Sequence, residues 1–355
     1  LYFGNFNRDF AFFSSENVTL NPDYITNIKF LEYSIRFVTY NVTANIELDS
    51  ALLILQVAEC GFSVDYFTQG HLPADQAADY EIIYGMCPPQ ELKAAANLKW
   101  LCCSFAGVDA YTDETIYPNP DVLLSNSSGA YGITISEHIL MVTLMMLRQM
   151  PKFEEIVKNR EWEKGLSMRS ICGSSITVLG TGDIGTNFAR RAKALGAKVI
   201  RGVRRTKKAG DPAYDEMYTF EELDSVLPKT EILVMALPAT KETNHILSRE
   251  RIALLPEDAY VVNVGRGSAI DQEALMEALN GGHLAGAALD VCVPEPLPKD
   301  HPLWDTKNLL LTPHISGNMS LGITRDLDVE LFCEDLRNYA AGRRLKRLVD
   351  RKIGY

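Results

Sequence analysis

Three short stretches carry the polar groups best suited to chemistry: Asn263-Val-Gly-Arg266-Gly, Asp290-Val-Cys-Val-Pro-Glu295-Pro and Thr312-Pro-His314-Ile-Ser-Gly317. Each follows an apolar β-type run, so each is expected at the C-terminal end of a strand, where open α/β sheets bind ligands. An arginine, a carboxylate and a histidine meeting there would bind an anion, tune an imidazole and transfer a proton. A fourth stretch, Val178-Leu-Gly-Thr-Gly-Asp-Ile-Gly185, sets Gly180, Gly182 and Gly185 in G-x-G-x-x-G spacing. In that pattern the first glycine makes a tight turn, the second lets a pyrophosphate approach the backbone, and the third lets the next helix pack closely. The amides of Thr181, Asp183 and Ile184 are candidate phosphate donors, at the N-terminus of a helix expected over Asn187 to Leu195. Taken singly, Arg266 reads as a surface-loop arginine, Glu295 as a solvated charge before proline and His314 as a helix-terminal histidine. His71, His138, His245, His283 and His301 lack comparable neighbours and read as structural or solvated, with His138 packed on a helix between domains.

Two β/α series must position these groups. From Ile35 the pattern runs strand (Ile35 to Tyr40), helix (Leu48 to Cys60), strand (Phe62 to Phe67), strand (Tyr80 to Tyr84), helix (Pro89 to Ala96) and strand (Leu98 to Cys102), which implies a parallel sheet with helices on both faces. The last of these strands runs into Ser104-Phe-Ala-Gly-Val-Asp109, a glycine turn at the ligand-binding end. Ile133 to Met150 has a helical period and ends at Pro151; it is expected to join two domains and supply subunit contacts. The second series starts at Ile176, with later strands at Ala197 to Ile200, Ile232 to Ala236, Tyr260 to Val264, Gly286 to Asp290 and Leu309 to Thr312. Helices are expected near Thr219 to Leu227, Arg249 to Leu255 and Gln272 to Leu279, the last capped by Asp271, and over Leu321 to Ala341. Residues 1–33 show no period and read as an extension, whose Leu1-Tyr-Phe-Gly4 resembles a protease-site scar.

A chain of 355 residues suits two domains. Its 35 basic and 46 acidic residues leave a net charge of −11, which argues against nucleic-acid and anionic-membrane partners. Seven cysteines, with no C-x-x-C and no zinc spacing, imply reduced thiols and no metal site. The lack of a long apolar run or a signal-like start points to the cytoplasm.

In order, Leu98-Lys-Trp, Ala106-Gly-Val-Asp109, Val178 to Gly185, Asn263-Val-Gly-Arg-Gly267, Asp290-Val-Cys-Val-Pro-Glu-Pro296, Pro302-Leu-Trp304 and Thr312-Pro-His314 make the sequence resemble the D-isomer-specific 2-hydroxyacid dehydrogenase family from about residue 35 to Tyr355. The resemblance implies an α/β architecture in which a Rossmann cofactor domain (131–317) is inserted into a flavodoxin-like substrate domain (34–130 plus 318–355), both doubly wound parallel sheets. By similarity, Arg266 holds the carboxylate of a 2-oxo acid and polarises its carbonyl, His314 is the general acid in reduction, and Glu295 pairs with His314. The Ala106-Gly107-Val108 turn would hold the other carboxylate oxygen through the amides of Gly107 and Val108. Leu237-Pro238 and Val264-Gly265 would line the cofactor site, and Asp290 would bond the nicotinamide carboxamide. A homodimer through the 133–150 region is expected as in the family.

One departure bears on the cofactor. NAD-using members end the second Rossmann strand in an acid that binds the adenosine ribose; here that position is Val203, followed by Arg204-Arg205-Thr206-Lys207-Lys208. Guanidinium groups suit a 2′-phosphate, so NADPH is the expected cofactor, with Arg204, Arg205 and Thr206 as ligands and NAD the alternative. The expected activity is reduction of a small 2-oxo acid such as glyoxylate, hydroxypyruvate or a branched analogue to the D-2-hydroxy acid. The rivals are an NAD-linked D-lactate or phosphoglycerate dehydrogenase, the latter lacking room here for a regulatory domain after Ala341, and a nucleotide-sensing corepressor.

Overall fold

Short β-branched and aromatic runs, buried on both faces, favour parallel strands flanked by helices, and the computed structural model contains two such sheets. It describes residues 33–38, 57, 60–67, 76–206 and 211–355, with only the backbone described at 33–38 and 63–67. The extension and the helix expected over Leu48 to Cys60 lie almost wholly outside these residues.

The first sheet comprises β1 (Tyr33–Val38), β2 (Phe62–Phe67), β3 (Ile82–Gly85), β4 (Trp100–Cys102) and β5 (Leu123–Ser125), in the order β2-β1-β3-β4-β5 with every pair parallel. This is the flavodoxin-type order. The helix expected over Pro89 to Ala96 is a 3-10 helix, Pro89–Ala94.

The second sheet comprises β6 (Ser175–Leu179), β7 (Val199–Arg204), β8 (Glu216–Thr219), β9 (Ile232–Met235), β10 (Ala259–Asn263), β11 (Leu284–Leu289) and β12 (Leu309–Leu311). Its order, β12-β11-β10-β9-β6-β7-β8, reverses direction between β6 and β9, the switch point where a doubly wound sheet opens a crevice. Ile176, Val178, Ile200, Val234 and Val262 belong to one core layer, and Leu179, Val203, Leu233, Met235 and Val261 to the other.

Six helices matter for the site: α1 (Gly132–Leu147), α2 (Met150–Lys158), α3 (Asp183–Ala194), α4 (Arg249–Leu254), α5 (Gln272–Asn280) and α6 (Gly322–Ala340). α1 stops before the expected Met150, because Gln149 turns left-handed (φ 56°) and Pro151 opens the first turn of α2, where a missing N–H costs nothing. α3 begins four residues earlier than expected, at Asp183. Asp271 caps α5, accepting from the Ala274 amide at 3.0 Å. The chain leaves the first sheet through α1 and returns on α6. There Phe332 stacks on Tyr84 and Trp100, with centroids 4.2 and 5.5 Å apart, and Thr324 hydrogen-bonds Thr134 at 2.9 Å.

Candidate active site

The crevice is built first by glycine. Gly180 leaves β6 at φ +98°, and a Cβ there would lie 2.4 Å from the Ala236 carbonyl oxygen, while one at Gly185 would lie 2.0 Å from the Gly180 carbonyl oxygen. Neither position tolerates a side chain, so β6, β9 and α3 approach closely. Gly182 faces open space at the N-terminus of α3, a geometry that admits a phosphate. The Asp183 carboxylate is turned toward α1: it accepts from Asn187 at 2.9 Å, and a Cβ on Gly132 would lie 2.2 Å from its Oδ1. Burial pushes its carboxyl above the ordinary range, against hydrogen bonds from Gly132 and Asn187.

At the end of β7, Val203 is fully buried and presents no polar group, whereas Arg204, Arg205 and Thr206 line the crevice. The Arg204 Nε is buried without a hydrogen-bond partner. A buried guanidinium nitrogen in that state is suited to an anion, so the chemistry of the donor set fits a phosphate at this end. Arg201, three residues before that basic run, is instead buried and pairs with Glu216 at 2.8 Å. Lys207 and Lys208 lie outside the described residues.

At the other end, Asn263 shapes the loop after β10: its Oδ1 accepts from the Gly265 amide (3.0 Å) and its amide donates to the Arg266 carbonyl (2.9 Å). The Arg266 guanidinium then reaches across the crevice. Its Nε and Nη2 donate to Asp109 Oδ1 at 3.1 and 2.8 Å, and Nη1 to the Gly265 carbonyl at 2.9 Å. It lies directly over Gly107, where a Cβ would sit 1.4 Å from Nη2. The Gly107 turn is braced from below by Asn126, donating to the Ala106 carbonyl at 2.7 Å, and by Tyr131, donating to the Ser104 carbonyl at 2.6 Å.

His314 has a left-handed backbone (φ 54°), a conformation that costs on the order of 1–3 kcal/mol unless neighbours fix it. Asp290 fixes it. The Asp290 carbonyl accepts from the His314 amide (2.9 Å), and its carboxylate accepts from Thr312 Oγ1 (2.6 Å) and the amides of Ile315 (2.9 Å) and Ser316 (3.0 Å). Burial opposes ionisation of Asp290, but these hydrogen bonds outweigh it and hold the carboxyl below its ordinary range. Most of its acceptor capacity is committed to the turn, so a carboxamide contact could use only what remains on Oδ2. With the imidazole so placed, Nδ1 meets Glu295 Oε2 at 2.8 Å, and Glu295 Oε1 accepts from the Cys292 amide at 2.9 Å. A carboxylate held on one imidazole nitrogen orients the ring and leaves the other nitrogen to exchange a proton.

One cleft of about 540 Å³ gathers Ala106, Gly107, the Gly180 to Gly185 loop, Arg204, Arg205, Thr206, Leu237, Pro238, Val264, Gly265, Arg266 and His314. Val108, Asp290 and Glu295 stand behind that lining. Asp109 was not singled out for a role in the sequence, although its place two residues after Gly107 was the available signal. His138 is also tied to the site: its Nε2 lies 3.3 Å from Thr312 Oγ1, and burial holds it below its ordinary pKa against the pull of Asp290.

Residues 140–316 match the family model for the NAD-binding domain of D-isomer specific 2-hydroxyacid dehydrogenases. A glyoxylate/hydroxypyruvate reductase A from Salmonella paratyphi B is 30% identical over 285 residues, 78% of this chain and 88% of that protein. Among solved structures, a D-isomer specific 2-hydroxyacid dehydrogenase from Xanthobacter autotrophicus Py2 in complex with NADPH and MES is similar at 29% identity and TM-score 0.76, over 92% of this chain and all of that one. The NADPH-dependent glyoxylate/hydroxypyruvate reductase of Sinorhizobium meliloti, in complex with NADP and sulfate, is similar at 28% identity and TM-score 0.75, over 91% of this chain and all of that one.

Proposed function

The chain belongs to the D-isomer specific 2-hydroxyacid dehydrogenase family, and we propose that it is an NADPH-preferring reductase of a small 2-oxo acid, such as glyoxylate or hydroxypyruvate. The observation that carries this reading is the pairing, in one cleft, of Arg266 and His314 at one end with Arg204, Arg205 and Thr206 at the other. Two similar structures bind NADPH or NADP, which supports the cofactor assignment.

When bound, a reduced nicotinamide supplies the hydride. Arg266 binds the substrate carboxylate and polarises the carbonyl to be reduced, its planar fork suiting a bidentate anion. To do so it shares or exchanges its Asp109 contact, and the Ala106-Gly107-Val108 turn offers amides to the remaining carboxylate oxygen. His314 delivers a proton to the carbonyl oxygen as the alkoxide forms, with Glu295 holding the imidazole for that transfer. Thr181, Asp183 and Ile184 amides take the pyrophosphate, and Arg204, Arg205 and Thr206 take the 2′-phosphate, while Leu237, Pro238, Val264 and Gly265 form the walls.

We assign α1 and α2 to a homodimer interface. α1 is largely apolar but carries the exposed Glu137; its Met141 and Leu144, with Met150, Val157 and Trp162 beyond, are exposed large apolar side chains of the kind that interfaces cover. The activity is tested by following NADPH oxidation with a panel of 2-oxo acids. Steady turnover is expected, and tight NADPH binding without turnover of any member would favour a nucleotide sensor instead.

A further inference from the structure

Residues 348–355 connect the first sheet to the phosphate end of the cleft. Leu348 bridges Ser125, and the Val349 amide donates to the Leu124 carbonyl at 2.8 Å. The Arg351 guanidinium lies 4.1 Å from the Tyr117 ring centroid and donates to the Pro120 and Val122 carbonyls. Beyond this anchor the amides of Ile353 and Gly354 fold back on the Asp350 carbonyl, at 3.1 and 2.8 Å. Gly354, at φ +96°, then passes Ala239 and Thr240 of the second sheet's domain. Tyr355 follows, lining the cleft, with the Arg205 guanidinium 5.7 Å from its ring centroid.

A guanidinium laid on an aromatic face is held there by the ring's quadrupole while its N–H donors stay free around its edge. Arg205 has no carboxylate partner among the described residues, so the Tyr355 ring is the contact that places it at the cleft mouth. We propose that Tyr355 is a positioning residue for cofactor choice, holding Arg205 ready for the 2′-phosphate of NADPH. The proposal rests on the reading of this cleft end as a 2′-phosphate site. It makes a segment anchored on the first sheet's domain a determinant of selectivity in the other.

The test measures Kd for NADPH and NADH by fluorescence titration, with 2′,5′-ADP and 5′-AMP as competitors. It compares the wild type, Tyr355→Ala, Tyr355→Phe, Arg205→Ala and the Tyr355→Ala/Arg205→Ala pair. Tyr355→Ala is expected to raise Kd for NADPH and for 2′,5′-ADP by about 3- to 5-fold, with NADH and 5′-AMP unchanged. Tyr355→Phe should bind like wild type, and Tyr355→Ala should add nothing once Arg205 is gone. Equal weakening of NADPH and NADH, or no change in Tyr355→Ala while the wild type prefers NADPH, overturns the role of Tyr355 alone. A wild type that binds NADH as tightly as NADPH overturns the underlying cofactor reading together with it.

Discussion

His314 is held by a backbone it would not adopt freely and by a carboxylate on one ring nitrogen. His314→Ala is expected to lower kcat for 2-oxo acid reduction by ~10²- to 10⁴-fold, with NADPH affinity retained; near-normal turnover would remove it from the chemistry. Arg266 offers a complementary test. Arg266→Lys should raise KM and lower kcat, since an ammonium cannot present two parallel donors. Gly107→Ala should raise KM by displacing the guanidinium that lies over it, and an unchanged KM would show that substrate does not depend on that placement. That Arg266, Glu295 and His314 would meet at one sheet edge was legible because each sits in a loop that closes an apolar run, while the role proposed for each comes from the family resemblance. The partner of Arg266 was not legible: Asp109 is distant in sequence, and only the meeting of the loop after β4 with the loop after β10 brings the carboxylate and guanidinium together.

At the scale of elements, α6 is tied to the first sheet by Asp328. Its carboxylate accepts from the Tyr84 hydroxyl at 2.5 Å and from Ser127. Burial raises its pKa from 3.8 to about 6, opposed by hydrogen bonds from Ser127 and Tyr84 and by the charge of Arg347. Between the unfolded and folded values the folded protein binds the extra proton, so this contribution is full below about pH 4 and is lost as pH rises through about 6. Its span is roughly 3 kcal/mol. The wild type should therefore lose melting temperature relative to Asp328→Asn as pH rises from 4 to 7; a constant difference between the two would contradict it. Helix and strand types were largely readable, since β9 is an unbroken apolar run, β6 and β10 are rich in β-branched apolar residues, and α5 carries its own cap. β5 and β8 were not: β5 has two leucines before the polar Ser125-Asn-Ser-Ser stretch, and β8 is the partly exposed, mixed run Glu216-Met-Tyr-Thr219. The start of α3 was also missed: its first turn is Asp183-Ile-Gly185, and glycine in that turn hides a helix that tertiary packing makes.

For the whole molecule, two parallel α/β sheets were readable from the alternation of strands and helices, and the insertion of one within the other was implied by the family resemblance, whereas the closeness of residue 355 to residue 205 was not foreseen, because nothing local in either segment signals it. α1 and α2 expose Met141, Leu144, Met150 and Val157 along the proposed dimer face. Light scattering should give a dimer mass, and Leu144→Glu should shift it toward the monomer; a monomeric wild type at micromolar concentration would end the interface assignment. The proposed reaction uses both ends of the cleft: proton delivery and substrate binding at Arg266 and His314, and cofactor choice at Arg204 to Thr206. Its most direct test is kcat/KM for glyoxylate and hydroxypyruvate reduction by the wild type with NADPH and with NADH. A clear preference for NADPH is predicted, and equal or greater efficiency with NADH would contradict it.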